Sequence, residues 1–266
     1  KEVDVLVYDI QDNGCRSFTY ISTMGLAMEA AAENGKELVV LDRPNPLGGL
    51  KIEGNLAEDG CISFVSQFKI PYIYGLTCGE LAILLNEEKM LTDGKQCKLH
   101  VVKMKGWKRK MDYVQTGLQW IPSSPHVPHT HSSFFYPVSG ILGELGYMSI
   151  GVGYTIPFQM FAAPWVEAEK LAKNLNALNV PGIVFRPMYL KPFYSVGKVI
   201  ASFVLHCVVS ILVSIVNCPT APEKLLFEVG NCFTSISNEL VFNFLLTVSI
   251  TREGLEKNGS LKKALL

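Results

Sequence analysis

The chain has 266 residues, 48% of them hydrophobic and 18% charged. That is enough for one large domain or two small ones, and more apolar than most soluble chains. Lys+Arg 24 balances Asp+Glu 24, so no basic field points to nucleic acid, and the seven cysteines are scattered without a CxxC pair, which argues against a disulfide framework or a zinc cluster.

No signal peptide precedes the first apolar run, and the chain reads as cut at its start. Val3–Ile10 is a short apolar run flanked by Asp9 and Asp12, the pattern of a buried strand. Ser17 is the expected N-cap of a helix from Phe18 to Asn34, with Met24, Met28 and Ala31 on one side and Asn34-Gly35 as its stop. Leu38–Leu41 is a second strand, ending at Asp42. Strand, helix and strand in this order form a βαβ unit, and ligands of such sheets bind beyond the carboxyl ends of the strands. Asp9, Gln11, Asp12, Arg16, Asp42, Arg43 and Asn45 all fall at that edge.

The loop RPNPLGG after Asp42 is stiffened by two prolines. It either holds Arg43 and Asn45 toward a ligand or is a plain turn with an exposed Arg. Ile70–Tyr74 is a third apolar stretch. Thr77 followed by Glu80 is a capping-box pattern for a helix from Gly79 to about Glu88, and Leu99–Met104 is a further strand. This alternation is that of an open α/β sheet. Gly106 to His131, rich in Pro, Ser, Trp and His, reads as a long ordered loop. His126, His129 and His131 lie close together there, but Pro122, Pro125 and Pro128 exclude helical HxxxH spacing. A polar pocket wall is favoured over a metal site, and no metal or cofactor is expected.

From Phe134 to Pro157 glycines interrupt an apolar segment whose one charge is Glu144. A lone carboxylate in such surroundings is either a general acid with a raised pKa or an exposed turn residue. Trp165–Leu178 reads as a helix and Pro181–Lys191 as a strand. Val199–Val216 then runs eighteen residues without a formal charge. Three readings compete for it: a membrane span, a buried pair of strands, or sequence that has lost its frame.

Six segments, DVLVYDIQDNGCRSFTYISTM, LDRPNPLGG, PYIYGLTCGELAILLNEE, PSSPHVPH, ILGELGYMSIGVGYTIPFQMF and FRPMYLKPFYS, resemble in order and spacing the DUF1343 family, the exo-β-N-acetylmuramidases of the NamZ type, in their Bacteroidetes form. The resemblance covers residues 1 to about 197. It implies a glycoside hydrolase that removes N-acetylmuramic acid from the non-reducing end of peptidoglycan fragments (muropeptides), periplasmic or secreted. The implied fold is α/β: a Rossmann-like, open, mostly parallel sheet over residues 1–131, then a smaller α+β C-terminal domain over 132–266, with the cleft between them. No nucleic-acid partner and no membrane span are implied. The family's upstream Glu-His-Gly motif, bearing its favoured catalytic Glu, is absent here. After Lys198 the sequence departs from the family, so the third reading of the tail is favoured, with 199–250 poorly packed or an unpartnered apolar helix.

The resemblance aligns Glu144 with a family Glu, making it the first candidate catalytic carboxylate, ahead of Asp42 and Asp9. Glycoside hydrolysis takes two carboxyl groups, or one with assistance from the substrate's 2-acetamido group. The lactyl carboxylate of the sugar calls for an Arg, Arg43 or Arg16. Gln11, Asn45, His126, His129 and Tyr136 complete the candidate substrate contacts. The alternative from another class is a non-catalytic sugar- or peptidoglycan-binding fragment of such an enzyme. A nucleotide-dependent oxidoreductase is disfavoured because the first loop has Gly14 alone where GxGxxG needs three glycines.

Overall fold

The structure, a computed structural model, describes residues 2–144, 149–163, 166–179, 184–190 and 206–212. The chain divides into two compact units that meet in sequence between Gln159 and Met160.

In the first unit β1 (Val5–Tyr8), β2 (Glu37–Leu41) and β3 (Lys98–Val102) form a parallel sheet in the order β1-β2-β3. Leu6 pairs with Leu38, and Leu38 with Leu99. The expected neighbourhood of the first two strands is thus observed. The crossovers carry α1 (Tyr20–Glu33) and α2 (Cys78–Glu87). Alternation along the strands decides which face they cover. Tyr8, Leu38 and Val40 join Ile21, Met24, Met28 and Ala31 of α1 and Leu81, Ala82 and Leu85 of α2 in one buried cluster. Each of the Leu, Ile, Val and Met side chains contributes roughly 1.5–3 kcal/mol when fully buried. The intervening residues face the other way: Val5, Val7 and Val102 are exposed.

The helix ends follow local chemistry in part. Thr77 accepts a hydrogen bond from the Glu80 amide, and the Thr77 amide donates to Glu80 Oε2, so the capping box is complete. At the end of α1, Asn34 is the C-cap and Gly35 takes the left-handed φ of 61° that a residue without Cβ adopts readily. Its start differs from expectation. Thr19 sits at the N-cap with no side-chain bond, because Ser17 is engaged by tyrosine hydroxyls from distant segments.

Two further differences concern the connecting segments. Ile70–Tyr74 does not enter the sheet. Ile73 makes isolated bridges to Cys15 and Glu53, and the Arg16 amide donates to the Tyr72 carbonyl at 2.8 Å, so this stretch braces loops instead. The long loop ends at α3 (Thr130–Glu144), which contains Pro137. The Ser139 hydroxyl donates to the carbonyls of Phe135 and Phe158, at 3.1 and 2.8 Å.

The second unit holds β4 (Met160–Ala163), α4 (Ala168–Ala177), β5 (Val184–Leu190) and β6 (His206–Leu212). The sheet is antiparallel in the order β4-β6-β5. The Asn176 side chain binds both backbone groups of Phe185, at 2.7 and 2.8 Å, which fastens α4 to β5. β6 corrects the reading of the tail: His206–Leu212 is the central strand of this sheet, paired on both sides, as the strand reading has it. Residues 199–205 and 213–250 of that segment lie outside the described residues. Among the described residues no helix is long and apolar enough to cross a membrane.

Gly25 tests the packing of α1. An alanine there gains about 1 kcal/mol of helix propensity, but its Cβ would lie 2.3 Å from the Phe68 ring tip, and Phe68 is itself buried in the core cluster. Overpacking of this kind costs roughly 1–3 kcal/mol. Gly25→Ala is therefore expected to lower the urea midpoint; an unchanged or raised midpoint would show that the ring has room to move.

Candidate active site

The carboxyl edge of the parallel sheet is built by two buried amides. Asn45 donates to the Leu76 carbonyl and accepts from the Leu47 amide, both at 2.9 Å. Its Oδ1 lies where a Cβ on Gly14 would be, at 2.2 Å; Gly14 has φ 77°, so only glycine suits this approach. Gln11 donates to the carbonyls of Asp12 and Pro44, both at 2.8 Å. Together they join the loops after β1 and β2 and the segment entering α2. Both are buried, and these hydrogen bonds position the edge.

Three aspartates stand on this frame in different states. Asp9 is exposed, and its Oδ1 accepts from both Nε and NH2 of Arg43 at 2.7 Å. The stiff loop does hold Arg43 in place, and the carboxylate-binding edge of its guanidinium is occupied by Asp9. Asp42 accepts from the amides of Arg43 and Gly79, at 3.0 and 2.8 Å, and from the Thr77 hydroxyl at 2.9 Å. Burial pushes its carboxyl up, against these hydrogen bonds. A carboxylate at a helix N-terminus is a favourable arrangement, and here it ties the end of β2 to the start of α2.

Asp12 is the most deeply placed. Its Oδ2 accepts from the Gly14 amide at 2.7 Å and from the Tyr74 hydroxyl, while its Oδ1 is buried without a partner. Burial raises the carboxyl from 3.8 to about 6, although the bonds from Tyr74 and Gly14 pull the other way. The neighbouring Gln11 Oε1 and both amide atoms of Asn13 are also buried, so three successive residues after the strand end carry polar atoms without a partner among the described residues.

Arg16 extends across the next loop. Its NH1 donates to the carbonyls of Asn55, at 2.7 Å, and Ile70, and its Cζ lies 5.8 Å from the Tyr72 ring centre. Beside it Ser17 Oγ lies 3.1 Å from the Tyr72 hydroxyl and donates to the Tyr136 hydroxyl at 3.3 Å. Tyr136 also meets Phe18 and Phe158 edge-on. Arg16 and Tyr136 are thus brought into one neighbourhood. His126 and His129 are exposed on the long loop, and Glu144 ends α3 with its side chain outside the described residues.

Two functional neighbours escape a reading of the sequence by segments. Tyr74, 62 residues from Asp12, carries no local signal of its role. Arg109 donates to the carbonyls of Gly49 and Gly75, at 3.3 and 3.0 Å, and to Glu80 at 2.6 Å, while its own carbonyl accepts from the Gly49 amide at 2.7 Å. It clamps the glycine end of the Arg43 loop against the start of α2. Its position in a run of basic residues, KGWKRK, resembles an ordinary solvated stretch.

Comparison with known proteins agrees with this architecture. The N-terminal model of the exo-β-N-acetylmuramidase NamZ family matches residues 1–131, and its C-terminal model matches 134–260. The second match runs past Lys198, where the resemblance read from the sequence ended. The peptidoglycan β-N-acetylmuramidase NamZ of Bacillus subtilis (strain 168) is 47% identical over 195 residues, which are 73% of this chain and 46% of that protein. A crystal structure of a DUF1343 family protein from Bacteroides fragilis NCTC 9343 is 71% identical with TM-score 0.75, covering 89% of this chain and 60% of the other. A second from the same organism is 28% identical with TM-score 0.62, covering 85% and 56%. The chain thus spans about half the length of the curated relative it matches.

The state of Asp12 gives a pH test. Its carboxyl lies at about 6 in the fold against 3.8 ordinarily, so the proton it retains stabilises the fold at acid pH. That stabilisation is lost as the pH rises through about 6. Asp12→Asn has no such loss. Relative to the parent, the variant is expected to gain on the order of 2–3 kcal/mol between about pH 4 and about pH 7, read as the difference in urea unfolding free energy. A pH-independent difference would place Asp12 in a solvated environment.

Proposed function

Because this chain belongs to the NamZ family of exo-β-N-acetylmuramidases, we propose that it acts on peptidoglycan fragments, releasing N-acetylmuramic acid from the non-reducing end. The observation that carries this is the carboxylate-lined strand edge. Asp9, Asp12 and Asp42 follow the ends of adjacent parallel strands, where ligands of such sheets bind. Their loops are fixed by Gln11, Asn45 and Arg109. A periplasmic or secreted location belongs to the same proposal, since that is where such fragments arise.

Chemically, the reaction needs an acid for the leaving oxygen and a carboxylate or the sugar's own acetamido group on the other side. Asp42 is engaged by three donors and Asp9 by Arg43. In this proposal they shape and charge the edge, and Glu144 supplies the proton. His126, His129 and Tyr136 are proposed to border the sugar. The experiment is release of free N-acetylmuramic acid from a muramyl disaccharide. Glu144→Gln is expected to lower turnover by roughly 10²–10⁴ with little change in KM. Unchanged turnover would remove Glu144 from the chemistry, and binding without any release by the parent chain would make it a sugar-binding module.

A further inference from the structure

We infer that Arg16, and not Arg43, is the residue that recognises the carboxylate of an acidic sugar, an assignment that rests on the proposed action on N-acetylmuramic acid. The two arginines follow β1 and β2 in the same unit, but their donors are differently engaged. A guanidinium has five N–H groups, and a carboxylate docks most strongly by accepting two parallel ones from a single edge. In Arg43 the edge made by Nε and NH2 already serves Asp9, at 2.7 Å from each nitrogen. A sugar carboxylate arriving there would have to displace that aspartate or share a cation with it.

In Arg16 the opposite edge is the engaged one. NH1 alone donates, to the main-chain carbonyls of Asn55 and Ile70. These two bonds, and the Tyr72 ring over which the group lies, fix the plane of the guanidinium. Nε and NH2 have no partner among the described residues, and no carboxylate pairs with Arg16 there. Burial lowers its pKa, and the groups that act against this are Cys15 and Tyr72, both of which burial keeps neutral. The result is a half-buried, permanently charged fork held by neutral acceptors, with no anion among the described residues to balance it. Such a charge is costly to desolvate and gains most from an external anion.

The surroundings suit a sugar acid better than a bare ion. Hydroxyls of Tyr72, Ser17 and Tyr136 follow one another from the ring under the guanidinium, at 3.1 and 3.3 Å. Hydroxyl groups both donate and accept, as a sugar's hydroxyl and acetamido groups require, while the Tyr136 ring offers apolar surface. Acid and sugar recognition thus meet in one neighbourhood of the first unit.

The test measures binding of N-acetylmuramic acid, its methyl ester and N-acetylglucosamine to the full 266-residue chain by ligand-observed NMR. The parent chain is expected to bind the acid at least about tenfold more tightly than the ester or N-acetylglucosamine, as befits a charge-assisted fork. Arg16→Gln should abolish this preference, and Arg16→Lys should keep part of it. Equal affinity of the parent for acid and ester would overturn the inference while leaving sugar binding in place. A preference kept in full by Arg16→Gln would overturn it as well. Should Arg16→Gln fail to fold, the acid-to-ester ratio in the parent and in Arg16→Lys still decides. A parent chain that binds none of the three sugars would overturn the proposed function and this inference together.

Discussion

The arrangement of the candidate site depends on one buried amide. Asn45 uses its oxygen on the Leu47 amide and its nitrogen on the Leu76 carbonyl, and it fills the space over Gly14 that a side chain there would occupy. Three stretches of chain far apart in sequence are fixed by a group of four heavy atoms. Loops at a sheet edge have no ladder to hold them, and their polar backbone groups must find partners when buried. Asn45 answers both needs at once, and the neighbouring Gln11 does the same between Asp12 and Pro44. Once these amides are in place, the aspartates at the strand ends have little freedom left.

Much of this was legible in the sequence because it is local. The βαβ unit shows itself through a switch from alternating to helical spacing. The Thr77–Glu80 box needs only four consecutive residues to declare a helix start. The reading lost its grip where distant residues decide. Ser17 has the chemistry of an N-cap, but Tyr72 and Tyr136, 55 and 119 residues away, engage its hydroxyl. Pro137 and the glycines at 140 and 143 disguise α3. Gly143 is needed there for contact, since a Cβ would meet Ile150 at 2.3 Å. The uncharged tail gave three readings because a run of apolar β-branched residues is consistent with each. Only the pairing of β6 with two other strands separates them for residues 206–212.

The candidate residues divide along the same line. Their presence at the strand ends was readable, since loop and strand boundaries are local. Their roles were not, because a role depends on the partner. Gln11 and Asn45 look like sugar ligands by type and serve as loop staples by contact. Arg43 was one of two candidates for the sugar's carboxylate, yet its partner Asp9 is 34 residues away. Arg16, next to a buried cysteine and four residues before the first residue of α1, carried no sign that only half its fork would be engaged.

Burial and hydrogen bonding act in opposite directions on the acids of this edge, and their balance sets what each can do. Asp42 has three donors, and burial still raises its carboxyl. Asp12 has one oxygen with two donors and one with none, and burial wins clearly. An unpartnered carboxylate oxygen in a buried setting is costly, and the neighbouring Gln11 and Asn13 also carry buried polar atoms without a partner among the described residues. The polar cost at Asp12 and the unbalanced charge at Arg16 thus have the same form. Each leaves part of a hydrogen-bonding group without a partner among the described residues, in the segment that follows β1, the end of the strand beyond which ligands of such sheets bind.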